Sequence, residues 1–160
     1  MEAAFRQQII NLLNEHRIMT IATNRPDGWP QATVVGYTND GLLMYAIIGR
    51  TSQKFVNVAR DPRVSIAIAR DYPQPLEIKG LSMAARVAVV EDSAEVQRAT
   101  DLLFGRYPEY KAYMTESKPN AQDLAFVRIA PQIVSILDYS KGFAHTDLVR
   151  VSNDDLRVKA

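Results

Sequence analysis

The chain has 160 residues, 47% apolar and 23% charged, with a formal net charge of +1 and no cysteine. That length suits one domain, 1–160, with a sizeable core. The near-neutral charge gives no electrostatic basis for a nucleic-acid or membrane-surface partner, and the missing cysteines exclude disulfides and thiolate catalysis.

Apolar groups at Phe5, Ile9, Leu12 and Leu13 recur at helical spacing, which predicts an amphipathic helix over 3–15. The same stretch lacks the long apolar run of a signal peptide or membrane span, so a cytoplasmic location is expected. Residues 18–24 are rich in β-branched side chains and read as a strand. Arg25-Pro26-Asp27-Gly28-Trp29-Pro30 is turn chemistry: proline presets φ, and glycine tolerates positive φ. Residues 31–38 return as a second strand. Asn39-Asp40-Gly41 signals a hairpin, and 42–48 is the third strand. Over 51–60, Phe55, Val58 and Ala59 lie at helical spacing. Thr51 or Ser52 is the expected N-cap, and Asp61 before Pro62 ends the helix. Val64, Ile66 and Ile68 alternate through 63–69 as in a half-buried strand.

Tyr72-Pro73-Gln74-Pro75 makes a loop. Residues 76–90 form a long β segment with a bend or bulge expected near Gly80. Asp92 or Ser93 caps a helix running to Tyr107, with Val96, Ala99, Leu102 and Leu103 on its buried face, and 108–115 add a further helical turn or two. Lys118-Pro119-Asn120 reads as a loop. Residues 124–129 and 132–139 are two β segments around Pro131. Beyond Lys141 only Leu148-Val149-Arg150-Val151 shows a pattern. Short turns between mostly antiparallel strands predict a mainly β, α+β fold. It is a six- to seven-stranded barrel, closed or partly closed, with flanking helices.

Arg50, Ser52 and Lys54 cluster at the predicted start of the 51–60 helix. A phosphate dianion is held by ammonium groups, hydroxyls and free backbone N–H groups. A helix start adds unpaired N–H donors and the favourable end of the dipole. Two distant histidines and no cysteine do not make a first-row metal site; His16 fits a dipole partner at the end of the first helix. Ser52 lacks the Gly-x-Ser-x-Gly surroundings of a hydrolase nucleophile. Gly28 and Gly49 do not form a dinucleotide-binding glycine loop. Tyr107, Tyr110 and Tyr113 recur at threes and give one aromatic edge, suited to packing or an oligomer contact. Trp29 reads equally as a surface hydrophobe or as a shield for a ligand or dimer seam.

The ordered set Thr20-Ile21-Ala22-Thr23, Arg25 to Pro30, Gly49-Arg50-Thr51-Ser52-Gln53-Lys54 and Asn57 to Arg63 resembles the pyridoxamine 5'-phosphate oxidase-like family, the FMN-binding split β-barrels. The resemblance spans residues 5–140. It implies a split barrel, an FMN cofactor at a homodimer interface, and oxidoreductase chemistry on a small-molecule substrate or reductant. Carried over position by position, Gln31, Ala32, Thr33 and Val34 contact the flavin ring, and Ala46, Ile47, Ile48 and Gly49 lie along it. Arg50, Ser52, Gln53 and Lys54 serve the phosphate, with Lys79 and Gly80 as a second phosphate-side contact. Gln53 stands where relatives are often basic, and Lys79 where they often carry an amide. The basic second-strand residue of true vitamin B6 oxidases falls near Gly36 here, and their Arg-x-His tail is replaced by Lys141-Gly142-Phe143-Ala144-His145-Thr146-Asp147. The implied function is therefore an FMN-dependent oxidoreductase other than a vitamin B6 oxidase, with His145 a candidate at the substrate face and no general base assigned. A non-catalytic flavin-binding or sensor protein, and a haem- or deazaflavin-binding relative, are the alternatives.

Overall fold

The computed structural model describes residues 1–117 and 120–156; Lys118 and Pro119 of the expected loop lie outside the described residues. In chain order the elements are α1 (Ala3–Glu15), β1 (Ile18–Asn24), β2 (Pro30–Gly36), β3 (Thr38–Asp40), β4 (Leu43–Gly49), α2 (Gln53–Arg60) and β5 (Arg63–Ala69). Then come β6 (Lys79–Val89), α3 (Ser93–Arg106), α4 (Pro108–Ser117), β7 (Leu124–Asp138), β8 (Thr146–Arg150) and α5 (Asn153–Leu156).

The described strands form an eight-stranded antiparallel sheet in the order β2-β1-β5-β6-β7-β4-β3, with β8 added beside β7. The first and last strands of that path, β2 and β3, are separated in sequence by Tyr37 alone. A sheet whose two ends are joined by one residue has to curl round on itself. β2 and β4 then approach one another without pairing, and this is the split of the barrel. Tyr37 is fully buried at the corner: its N–H donates to the Arg17 carbonyl at 3.3 Å and its hydroxyl to the Leu13 carbonyl at 2.8 Å. The predicted second strand over 31–38 is therefore two strands broken at this corner, and the tail adds a further one.

The core follows the predicted alternation. Val64, Ile66 and Ile68 of β5 pack inward with Leu81, Met83, Ala85 and Val87 of β6. Ile9, Leu12 and Leu13 of α1, at helical spacing, join the same core. His16 closes α1, its Nδ1 at 2.9 Å from the Leu12 carbonyl.

Two β expectations are corrected. β7 runs as one 15-residue strand through Pro131 rather than as two segments. Proline is tolerated because the β4 ladder ends at Ile129 and the β8 ladder begins at Ile133, so Pro131 lies where β7 has no second neighbour. The register against β6 also shifts there, between Ala84 and Ala85. The extra residue moves the buried set of β7 from Ala125, Val127 and Ile129 to Val134 and Ile136, so both halves of the strand face the core. Gly80, where a bend was expected, lies instead in unbroken pairing with Ala69 and Leu137. Its glycine is required by close approach: a Cβ there would come within 2.4 Å of the Ile68 carbonyl oxygen. Gly80→Ala is expected to lower stability by about 2 kcal/mol or more, read as a lower urea midpoint at constant slope.

Candidate functional site

α2 begins at Ser52, whose hydroxyl accepts from the Phe55 N–H at 3.2 Å and donates to the Gly49 carbonyl at 2.7 Å. The cap is Ser52 and not Thr51, and its hydroxyl is already engaged on both sides. The N–H groups of Gln53 and Lys54 have no acceptor in a preceding helical turn, as at any helix start. Arg50 is exposed; its Nε donates to the Leu124 carbonyl at 3.0 Å and its guanidinium lies 5.6 Å from the Phe55 ring centroid.

A buried amide network ties this helix to the barrel wall. Asn57 is completely buried. Its Nδ2 donates to Thr23 Oγ1 at 2.9 Å on β1 and to Gln31 Oε1 at 3.1 Å on β2. Its Oδ1 accepts from Gln53 Nε2 at 2.8 Å, one turn back on the same helix. So the helix start and strand β2 are held in one fixed arrangement. Sequence reasoning passed over Asn57 as a site residue. The available signal was a polar side chain between Phe55 and Val58, on the apolar face of a short helix.

The inner face of β2 carries Gln31, Thr33 and Val35, while Ala32 and Val34 face outward. Gln31 meets Asn57, and Val35 shares a small apolar cavity of ≈ 10 Å³ with Lys54, Ala46 and Ile48. Thr33 lies between them on the same face. Two polar groups here have no partner among the described residues. Thr33 Oγ1 is buried without a hydrogen bond. Lys54 has no hydrogen bond or ion pair among the described residues, and burial of its side chain pulls its pKa below that of an ordinary lysine. A half-buried ammonium without a protein partner among the described residues, beside the unpaired N–H groups of a helix start, suits an anion.

On the outer side of the split, Val34 and Ile47 line an apolar groove of ≈ 390 Å³ roofed by α4. The inward Ala46 and Ile48 and the outward Ile47 thus put the two sides of β4 on the two sides of the split.

The remaining predicted residues lie elsewhere in the chain. Lys79 starts β6 opposite Asp138, and Val87, which shares the Lys54 cavity, is eight residues further on. At about 3.3 Å per residue that is roughly 26 Å along the strand. Lys79 and Gly80 are therefore not brought beside Ser52 and Lys54 within one chain. They join His145 instead: the Asp138 N–H donates to the His145 carbonyl at 3.1 Å, and the Tyr139 N–H to the Ile78 carbonyl at 3.0 Å. His145 Nε2 is 3.2 Å from Asp147 Oδ2, which also takes Lys141 Nζ at 3.2 Å. These two partners hold the Asp147 carboxyl below the usual carboxylate range. The loop is shaped by left-handed backbone at Ala144 (φ 59°) and Gly142 (φ 141°), and it presents Phe143 almost fully exposed.

Among the described residues, no cluster of His, Cys, Asp and Glu suits a metal ion, and no helix is long and apolar enough to cross a membrane.

A family model described as pyridoxamine 5'-phosphate oxidase matches residues 5–138. No curated protein matches the chain. Among solved structures, a conserved hypothetical protein of Mycobacterium tuberculosis, Rv2991, is 28% identical with a TM-score of 0.73, over 96% of this chain and 93% of that one. A heme binding protein from Mycobacterium smegmatis is 22% identical with a TM-score of 0.74; the match covers 94% of this chain but only 58% of that one. HutZ, a heme storage protein from Vibrio cholerae, is 20% identical with a TM-score of 0.66, over 79% of this chain and 89% of that one. At 20–22% identity these last two show a shared fold.

Proposed function

Since the chain belongs to the pyridoxamine 5'-phosphate oxidase family, we propose that it binds FMN and acts as an FMN-dependent oxidoreductase on a small molecule. The observation that carries this reading is the half-buried Lys54 ammonium, without a hydrogen bond or ion pair among the described residues, beside the N–H groups that open α2. Lys54 and the first N–H groups of α2 would hold the phosphate, with Arg50 at the rim. Ser52 holds the turn that presents those N–H groups, since its hydroxyl is spent on the cap. The outward Ala32 and Val34 of β2 and Ile47 of β4 would give the ring an apolar wall. A bound flavin supplies hydride and electron transfer; the protein orients it and keeps water from it.

The second cluster, Lys79, Lys141 and His145, fits a shared site. Two copies would place this end of one chain against the α2 end of the other, so that Lys79 and Gly80 reach the phosphate side and His145 the substrate side. Domain unity over 1–160 and a cytoplasmic location complete the proposal. The test is an absorbance scan of the purified protein, before and after adding FMN. A flavin spectrum that stays with the protein on gel filtration is the expected result. A chain that neither carries nor takes up flavin would reject the reading.

A haem reading has one specific support. His145 is oriented by the Asp147 carboxylate, the outer-shell arrangement common to metal-ligating histidines, and two structures of this fold are heme proteins by name. Under it, added hemin gives a Soret band that His145→Ala abolishes, and no flavin is retained.

A further inference from the structure

α3 presents two faces. Leu103 lines the groove beneath α4, while a stripe from Ala94 to Gly105 forms one wall of a separate pocket of ≈ 710 Å³. Asn14 of α1 with Thr38 and Asn39 of β3 form the opposite wall. This pocket shares no lining residue with the Lys54 cavity or with the groove over the split. Two observations point to an occupant. Glycine inside a helix is unfavourable relative to alanine, yet nothing lies within 4 Å of where a Cβ on Gly105 would be. Packing does not demand that glycine, and the pocket is what it leaves open. Thr38 supplies the second observation. It is 3% exposed, it lines the pocket, and its hydroxyl has no hydrogen-bond partner among the described residues. A buried hydroxyl without a partner weakens a fold, so its partner belongs to whatever fills the pocket.

We propose that this pocket binds a small saccharide, a neutral ligand dense in hydroxyl groups. The class follows from the lining. Arg106 is engaged by neutral acceptors: its Nη2 donates to the Leu13 and Asn14 carbonyls at 2.9 and 3.2 Å, and its Nη1 to Asn39 Oδ1 at 3.0 Å and the Tyr37 carbonyl at 3.4 Å. Arg98 crosses to the Asp40 carboxylate. The groups left open are of both kinds. Asn14 Oδ1 accepts from Asn39 Nδ2 at 3.0 Å, which leaves the Asn14 amide N–H groups to donate beside the Thr38 hydroxyl. Gln97 Nε2 donates to Asp101 Oδ1 at 2.9 Å, which leaves Gln97 Oε1 and Asp101 Oδ2 to accept on the facing wall. A hydroxyl donates and accepts at once, so a ligand with several of them serves both walls. An anion would meet Asp101, and a cation would meet Arg98 and Arg106, so like charge opposes either ion. None of the described lining residues is aromatic, so a flat base would gain no stacking. The volume falls among small-molecule pockets, about 300–1,000 Å³.

The probes are glucose, galactose, maltose and trehalose, each titrated into the isotope-labelled 160-residue chain and followed by its backbone amide resonances. At least one is expected to shift Thr38 and Gly105 saturably. Gly105→Leu fills the pocket with a better helix former and removes no polar group, so it should fold as well as the wild type and abolish binding of that sugar. Thr38→Val keeps the shape and removes the hydroxyl. It should weaken the sugar about threefold to tenfold, the worth of one neutral hydrogen bond, and melt no lower than the wild type. Glucuronate and glucosamine, the charged counterparts of glucose, should bind more weakly than any neutral sugar that binds. No shift at Thr38 and Gly105 with any of the neutral sugars overturns the proposal. So does binding that survives Gly105→Leu, or a charged counterpart that binds as tightly. A lower melting temperature for Thr38→Val with sugar affinity unchanged does the same, because the hydroxyl would then have a partner within the fold. FMN uptake, followed separately, should be equal in Gly105→Leu and the wild type. Sugar binding that Gly105→Leu abolishes, in a protein that takes up no FMN, keeps this pocket and removes the flavin reading.

Discussion

Replacing Lys54 with methionine is expected to weaken FMN binding by about tenfold to hundredfold, the worth of one charged hydrogen bond, while the apoprotein becomes more stable to heat. The two effects have one cause. Lys54 lies against Val35, Ala46 and Ile48 with no counter-ion among the described residues, and burial lowers its pKa. Between that lowered pKa and the ordinary value near 10.5, the unfolded chain binds more protons than the folded one. Apoprotein stability therefore rises with pH across that window, and the charged form weakens the fold below it. Methionine fills the same apolar space with nothing to desolvate, so both the penalty and its pH dependence disappear.

An anionic ligand reverses the sign for Lys54, because a phosphate beside the ammonium favours its protonated form. Affinity for FMN is then full where Lys54 is charged in the free protein. It falls as pH rises through the lowered pKa, earlier than an ordinary lysine would allow. Titrations from about pH 7 to about pH 10 should show this decline in the wild type and much less of it in Lys54→Met. Equal affinity in the two proteins would mean that the phosphate is held elsewhere. Calorimetric melts of the two apoproteins check the other half: a lower melting temperature for Lys54→Met would show that the side chain has a stabilising partner.

Asn57→Ala is expected to cost about 2–4 kcal/mol of stability, since it removes a buried amide with three hydrogen bonds and strands Thr23, Gln31 and Gln53 around a cavity. The readout is the urea midpoint at unchanged slope. Gln53→Ala, exposed on the helix surface, should cost much less. Asn57 also fixes α2 against β2, so FMN affinity should fall in Asn57→Ala even under conditions where the variant is fully folded. Asn57→Leu separates the two roles. It refills the volume but restores none of the bonds, so it should recover part of the stability and none of the affinity. Full affinity in Asn57→Leu would show that the network serves packing alone.

Much of the scaffold was legible from local signals. The α1 stripe, the alternation in β5, the Ser52 cap and the Asp61-Pro62 stop each depend on neighbours within a few residues, and each appears where the pattern predicts it. Pro131 misled because its effect depends on partners far away in sequence. Only the adjoining ends of the β4 and β8 ladders leave room for a proline within a continuous strand. Gly80 misled similarly, since its lack of a side chain answers to the Ile68 carbonyl on the neighbouring strand.

The chain alone determined the class of fold and the gathering of Arg50, Ser52 and Lys54 at one helix start, because helical and strand periodicity and capping chemistry are written in short stretches. Tertiary structure decided which of those residues share a surface. It joined Thr23 and Gln31 to α2 through Asn57, turned Val34 and Ile47 to the far side of the split, and carried Lys79 and His145 to the other end of β6. The reason is geometric: strand register and the one-residue corner at Tyr37 set how the sheet curls, and curling decides which distant side chains meet.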